Sequence, residues 1–449
     1  MFSNQSAELS LNSPCKAVAA VWADRSESRF LVGTCSVQDN DSNQLHVIRY
    51  HSDVNVVGVD ASLTHPAGPI QHLVTNPNDR NFVVTLAEQA TTATLYKLPT
   101  NIMELTSELS MMDSETTHTD YGLGDYNHND SQTADSMNNS MYSTNSASTT
   151  GGGGMLEQKA TLESTSLTAQ LLDVQWRNGN SVYDDTMSAT AGDVVTLDAT
   201  GTITQWDLSM GMAESMHDVT GDNAPLPPIA RPRIAWDPHH GSSLAVSWGR
   251  GIRFVDLRSS STSAARSSSS TGSDNNGSSN IARAHRYGVT DMDYNPNKPF
   301  TLATSGLEGI VHYWDTRSTR KPLLSARGGH SHYAWRVQYN PFHDQLVLST
   351  GTDAVVNLWR VSTISSAPLL TMEDTTVGGH ASSMKRSSSD GDESETSAPN
   401  VRVARHEQTE SVYGATWGAA DAWMYMTLAY DGKVALHHVP SKEKYKILL

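Results

Sequence analysis

The sequence predicts an all-β fold, a single seven-bladed β-propeller with disordered loop insertions. Three observations carry this. Units of about 40–45 residues recur along the chain, the length of one propeller blade. Within them apolar and polar residues alternate with period 2, as half-buried antiparallel strands require. No stretch sustains a 3.6-residue period. The 449 residues therefore read as one repetitive domain, 1–449, rather than two or three ordinary ones.

The units follow one another in order. The first, about residues 17–50, holds AVAAVW, RFLVGTCSV and QLHVIRY. The second opens at His65 and turns at Asn76-Pro77. The third, Leu171 to Leu208, contains LLDVQW and closes at Trp206-Asp207. The fourth, 229–258, turns at Asp237-Pro238 and closes at Val255-Asp256. The fifth, 285–318, is the clearest. It runs from His285 through a turn at Asn295-Pro296 to Glu308-Gly309 and a strand ending at Trp314-Asp315. The sixth repeats this from His330, with Asn340-Pro341, Asp353 and Trp359. The seventh starts at His406, with Asp431-Gly432 as its tight turn and His437 where the closing Trp would stand.

Such units suit a hydrogen-bonded network of an initial His, a turn acid and a closing Trp, which ties the strands of a blade. The acid stands six residues before the aromatic in Glu308 and Trp314, Asp353 and Trp359, and Asp431 and His437. Thr200 and Gly249 hold that place in the third and fourth units, so those blades are expected to be more loosely tied. A radial array of blades also hides most sheet edges.

Apolar residues are 37% and charged residues 18% of the chain, low for one packed body. Residues 105–160, 259–280 and 373–400 are rich in Ser, Thr, Asn, Asp and Gly, without period. They cannot bury enough apolar area to offset their chain entropy and are expected to be disordered. Each falls after a closing strand, so they read as loops within the fold, where a propeller tolerates them. The formal net charge of -17 argues against nucleic-acid binding, which rests on neutralising phosphates, and against polybasic membrane binding. Two cysteines, Cys15 and Cys35, cannot build a disulfide framework or a thiolate zinc site alone. The N-terminus reads as no signal peptide, and no window has the apolar length of a membrane span. The expectation is an intracellular chain with no direct membrane insertion.

Enzyme chemistry is not legible. Gly151 to Gly154 is a low-complexity tract outside any strand-to-helix context, not a phosphate cradle. His239-His240 and His437-His438 are neighbours that point to opposite faces of a strand. His330 and His332 could share a face, but fit a loop that opens a blade. No nucleophile-elbow spacing is present. The expectation is no enzyme, no metal and no cofactor.

The repeats resemble the WD40 superfamily, and several stretches resemble more specifically the EARP and GARP complex-interacting protein family. RFLVGTCS, NQLHVIRY, NPNDR, DMDYNPNKPFTLATSG, WDTR and YNPFHDQLVLSTGTD carry the likeness. The seventh unit with its terminal KYKILL is the most specific part. The long 105–160 and 259–280 insertions depart from the family. The resemblance implies a non-enzymatic adaptor for the EARP and GARP tethering complexes, acting in endosomal recycling and retrograde transport to the trans-Golgi network. It implies a cytoplasmic chain associated with that network and with endosomes, whose partners are tethering-complex subunits and which is a monomer outside the complex. The alternative is a substrate receptor of a cullin-RING ubiquitin ligase, from the WDxR sequence at Trp314-Asp315-Thr316-Arg317 and the weaker Val255-Asp256-Leu257-Arg258.

The partner surface is expected on the loops before the first strands and between the second and third strands of the last blades. His332, Tyr333, Trp335, Glu410 and Tyr413 fall there, aromatics among charges of the kind that dominate interfaces. Ser387 and Ser389 each have an acid three residues on, Asp390 and Asp392, which suits phosphorylation that deepens the local charge.

Overall fold

The computed structural model describes residues 6–37, 43–102, 155–164, 168–177, 193–208, 212–219, 231–258, 280–368 and 400–448. They form seven antiparallel sheets. Blade 1 is Cys15–Ala20, Arg29–Thr34, Gln44–His51 and Val56–Thr64; blade 2 is Ile70–Thr75, Phe82–Ala87, Thr92–Lys97 and Glu157–Glu163. Blade 3 is Leu171–Trp176, Asp193–Asp198, Thr202–Asp207 and Met212–Asp218; blade 4 is Ile234–Trp236, Ser243–Trp248 and Gly251–Asp256. Blade 5 is Val289–Tyr294, Thr301–Gly306, Val311–Asp315 and Leu324–Ala326; blade 6 is Ala334–Tyr339, Leu346–Gly351, Val355–Val361 and Asn400–Glu407. Blade 7 takes Val412–Trp417, Met424–Ala429 and Lys433–His438, and its outer strand is the N-terminal Ala7–Ser10. That strand pairs with Lys433–His438, with Ala7 opposite Leu436 and Ser10 opposite Lys433. The two ends of the chain thus close the ring with backbone hydrogen bonds.

The core lies between successive sheets. Ala17, Leu31 and Leu45 of blade 1 pack on Ile70, Leu73 and Val83 of blade 2. Val18, Phe30 and Ile48 pack on Met426, Leu428 and Leu436 of blade 7 in the same way. One face of a strand meets the blade before and the other the blade after, so strands such as Arg29–Thr34, Thr301–Gly306, Leu346–Gly351 and Met424–Ala429 are buried along their whole length rather than on one face only. The C-terminal helix Ser441–Leu448 docks under blade 6, where buried Glu443 pairs with buried Arg360. Among the described residues no helix is long and apolar enough to cross a membrane. Cys15 and Cys35 are buried free thiols; burial pushes the Cys35 thiol up to about 11 and Cys15 higher still.

Two expected boundaries change. Residues 157–160 of the 105–160 segment belong to the outer strand of blade 2, because cross-strand pairs such as Ala160 with Leu95 and Glu157 with Lys97 fix them. Asn400, the last residue of the 373–400 segment, opens the outer strand of blade 6 opposite Val361. Apart from these edges and residues 155–156 and 280, the three segments lie outside the described residues, as do Ser387 and Ser389.

In six blades the innermost strand carries a register shift at its second residue. The residues concerned are Lys16, Gln71, Leu172, Thr290, Trp335 and Tyr413. Lys16, Gln71, Trp335 and Tyr413 are left partly exposed toward one end of the propeller, here called the top, whereas Leu172 and Thr290 stay buried. The loops entering each blade and the turns between second and third strands open on that end.

Candidate functional site

Blades 5 and 6 hold matching networks. In blade 6 His330 Nδ1 meets Asp353 Oδ1 at 3.1 Å, its Nε2 meets Ser349 Oγ at 2.8 Å, and Trp359 Nε1 donates to that same Oγ at 2.9 Å. In blade 5 His285 meets Glu308 at 2.7 Å and Thr304 at 2.8 Å, and Trp314 Nε1 donates to Thr304 Oγ1 at 3.0 Å. A hydrogen on Nδ1 and a lone pair on Nε2 satisfy the imidazole and the hydroxyl in both blades, while Glu308 Oε2 is buried without a partner. Burial would raise the Asp353 and Glu308 carboxyls, but hydrogen bonds from the imidazole and from backbone amides hold both below their ordinary range. The central hydroxyl escaped the sequence reading. Its signal is a Ser or Thr ten residues before the Trp, seen also where Trp206 Nε1 donates to Thr196 Oγ1 at 2.9 Å. Two glycines make room for the imidazoles: a Cβ on Gly306 would stand 2.1 Å from His285 Nδ1, and one on Gly351 2.5 Å from His330 Nδ1. Asp315 lies outside the blade 5 network. It accepts Arg317 Nε at 2.9 Å and Arg317 Nη2 at 2.8 Å. His285, Glu308 and His312 have ligand atoms within 4.8 Å of one another, but His285 and Glu308 are already committed to each other, as their counterparts in blade 6 are.

Blade 7 differs from expectation. His406 sits on the outer strand of blade 6 and does not meet Asp431. It reaches Tyr425 OH at 2.9 Å and stacks on His437 at 4.0 Å. In blades 5 and 6 the network His lies 23 residues before its acid; in blade 7 that position is Gln408, whose Oε1 is buried without a hydrogen bond. Ala429 replaces the glycine, so an imidazole would have no room there. Asp431 instead accepts Thr409 Oγ1 at 2.5 Å, and His437 reaches Thr427 at 3.3 Å.

The central channel carries a belt of alternating basic and acidic residues, whose first member, His72, is held neutral by burial and then by Arg233 and Arg336. The third position of the inner strands, counted in equivalent register, is His72, Asp173, Arg233, Asp291 and Arg336 in blades 2 to 6. Neighbours are 3.4, 3.1, 3.9 and 3.6 Å apart in that order. Each carboxylate also ties its strand to the next blade: Asp173 accepts Ile234 N at 2.8 Å and Asp291 accepts Val337 N at 3.1 Å. Below them Asp293 accepts Tyr339 N at 2.7 Å, and burial pushes its carboxyl up to about 8. The belt borders a cavity of about 240 Å³. It pairs acids with bases and backbone amides. A buried alternating belt fits the role of fixing blade order.

At the top, Trp335 of blade 6 meets Tyr413 of blade 7 edge to face, at 5.2 Å and 90°. Tyr413 meets Tyr430 at 5.8 Å, and the Lys16 ammonium stands 5.7 Å from the Tyr430 ring. Trp335 and Tyr413 are half-buried and Tyr430 is exposed. Tyr333 is half-buried against His332, 3.9 Å away, and His332 bonds Thr352 at 2.6 Å. Glu410 is exposed at the edge of the row. The structure thus brings Trp335 and Tyr413 together, and adds Tyr430, which the sequence reading passed over. Its signal is its place just before the Asp431-Gly432 turn.

A family model described as the EIPR1 beta-propeller matches residues 202–359. The chain is 28% identical to EARP and GARP complex-interacting protein 1 of Homo sapiens, over 97% of this chain and 96% of that protein. It is 33% identical to EARP-interacting protein 1 of Caenorhabditis elegans over 47% of this chain and 52% of that one. It is 29% identical to WD repeat-containing protein DWA2 of Arabidopsis thaliana over 46% and 48%. Along nearly its whole length, the chain resembles the EARP and GARP complex-interacting proteins, as its sequence motifs indicated.

Proposed function

We propose that this chain is a non-enzymatic propeller adaptor that binds the EARP and GARP tethering complexes. The finer reading places it in endosomal recycling and endosome-to-Golgi retrograde transport, on the cytoplasmic side of those membranes, as a monomer when outside the complex. The observation that carries it is the similarity to proteins named for those complexes over 97% of the chain. The Trp335, Tyr413 and Tyr430 row supports a docking role. Large aromatic rings held rigidly by one another and left partly open are the anchors that dominate protein interfaces. Tyr333, His332 and Glu410 extend the same rim. The test is affinity purification of the tagged chain, with complex subunits quantified, against Trp335→Ala with Tyr413→Ala.

The cullin-RING receptor reading rests on Arg317 and Arg258, exposed on adjacent blades. Both forks fold back on their own carboxylates, Arg317 on Asp315 at 2.8 Å and Arg258 on Asp256 at 3.1 Å, which closes a turn within each blade. The same purification separates the readings, since ligase adaptors and tethering subunits are different partners.

A further inference from the structure

The chain is acidic, yet its top end carries an arginine cluster. Arg250 lies in the turn between the second and third strands of blade 4. Arg283 follows the Ile281 bridge to Ile252 at that blade's outer edge. Arg286 lies in the loop entering blade 5, and Arg327 follows that blade's outer strand. All four are exposed. Their loops are continuous: Ala284 N and His285 N both donate to Arg250 O, at 2.8 and 3.2 Å. Arg327 follows Ala326, which pairs with Val311 beside His312; the His312 imidazole is pushed down to about 3 by burial first, then by His285. His312 lies 4.8 Å from His285, so the cluster spans adjoining loops.

None of the four side chains forms an ion pair among the described residues. Several other guanidinium groups are ion-paired, Arg233 with Asp173, Arg258 with Asp256, Arg317 with Asp315 and Arg405 with Glu407, and those without an ion pair, such as Arg80 and Arg320, are not gathered on these adjoining loops. One oxygen of the nearby acid is committed: Glu308 Oε1 accepts His285 and Arg286 N, while its Oε2 is buried without a hydrogen-bond partner. Beside the cluster Tyr287 is 49% exposed, with the Arg286 guanidinium 5.1 Å from its ring. A net charge of -17 makes four unmatched like charges on adjoining loops a focused field that draws anions to one end of the molecule. Arginine forks suit planar carboxylates, which they grip through two parallel hydrogen bonds.

We propose that the top loops of blades 4 and 5, through Arg250, Arg283, Arg286 and Arg327 with Tyr287 as an apolar anchor, dock an acidic segment of a partner protein. This surface is separate from the aromatic row and does not depend on which complex that row binds. An acidic protein segment fits better than an anionic bilayer for two reasons. The rest of the chain is repelled by such a membrane, and Tyr287 is the one exposed large apolar residue of the 280–288 loop, too little for insertion.

The test uses the full chain and a fluorescent twelve-residue peptide rich in Asp and Glu with one central Phe, read by anisotropy. Phosphatidylserine vesicles and a single-stranded RNA of equal charge run alongside. Saturable peptide binding that weakens with salt, and that R250E with R286E reduces about tenfold, is the expected result. R320E with K321E, exposed at the opposite end of blade 5, should leave binding unchanged. Circular dichroism and melting temperature of both variants should match the parent. No saturable binding, binding indifferent to R250E with R286E, or tighter arginine-dependent binding to vesicles or RNA than to the peptide would each overturn the proposal. Should R250E with R286E fail to fold, R250Q with R286Q decides by the same criterion.

Discussion

Blades 6 and 7 stand side by side and are held in different ways. Blade 6 is tied by a His, an acid, a hydroxyl and a Trp, each satisfied by the next. Blade 7 keeps the acid at the same spacing but has Gln408, Ala429 and His437 where blade 6 has His330, Gly351 and Trp359. Its closure comes instead from the N-terminal strand pairing with Lys433–His438. The lesson is that a turn acid at the right spacing does not make the network. The imidazole also needs a glycine beneath it.

The largest contrast should come from the closing aromatics. Trp359 is fully buried with its Nε1 bonded, so Trp359→Ala should cost about 3–5 kcal/mol in denaturant unfolding. His437→Ala should cost markedly less, because His437 Nδ1 is buried without a partner. Equal costs would erase the contrast. Next, Asp353→Ala strands the amide of Ser331 and the His330 ring, at about 1–3 kcal/mol. Asp431→Ala removes contacts to Thr409 and the Lys433 amide at an exposed turn and should cost under about 1 kcal/mol. Rebuilding is the sharper test. Gln408→His together with Ala429→Gly should gain about 0.5–1.5 kcal/mol, whereas Gln408→His alone should gain nothing, since the Ala429 methyl occupies the imidazole's place.

The smallest effect is pH dependence. His406 is held below its ordinary value of 6.5 by burial, and His437 well below it by burial and then by His406, His438 and Lys433. The unfolded chain therefore takes up protons first, so their contribution is whole above about pH 6.5 and declines as pH falls below it. Asp353 has a depressed carboxyl, so its contribution is present above the unfolded value near 4 and is lost only as pH falls through its folded value. His437→Phe should flatten the stability slope between pH 7 and 5. Asp353→Asn should leave that slope alone and flatten the one below pH 4.

Much of the fold was legible because a blade repeats. Asn295-Pro296 and Asn340-Pro341 mark turns, and period-2 strands between them have one register that buries their apolar face. The misplacement of His406 shows the limit. A histidine two residues from the network position looks the same in sequence, and only the Gly-to-Ala change at Ala429 signals that it cannot fit. The charged belt was not legible for a related reason. Asp173, Asp291 and Arg336 stand among other polar residues of their strands, Gln175, Asp293 and Gln338, and only the ring brings the third positions together. The aromatic row was half legible: Trp335 and Tyr413 share a strand position, but Tyr430 reaches them from another turn.

The seam between blades 6 and 7 is also where Trp335, Tyr413 and Tyr430 meet, and the adaptor reading depends on that rim. The most direct measurement is quantitative recovery of EARP and GARP subunits with the tagged full chain from cells, comparing the parent with Trp335→Ala plus Tyr413→Ala. The account predicts recovery reduced about tenfold or more, with the melting temperature lowered by no more than about 4 °C. Undiminished recovery from a folded variant, or no recovery of those subunits by the parent chain, would contradict it.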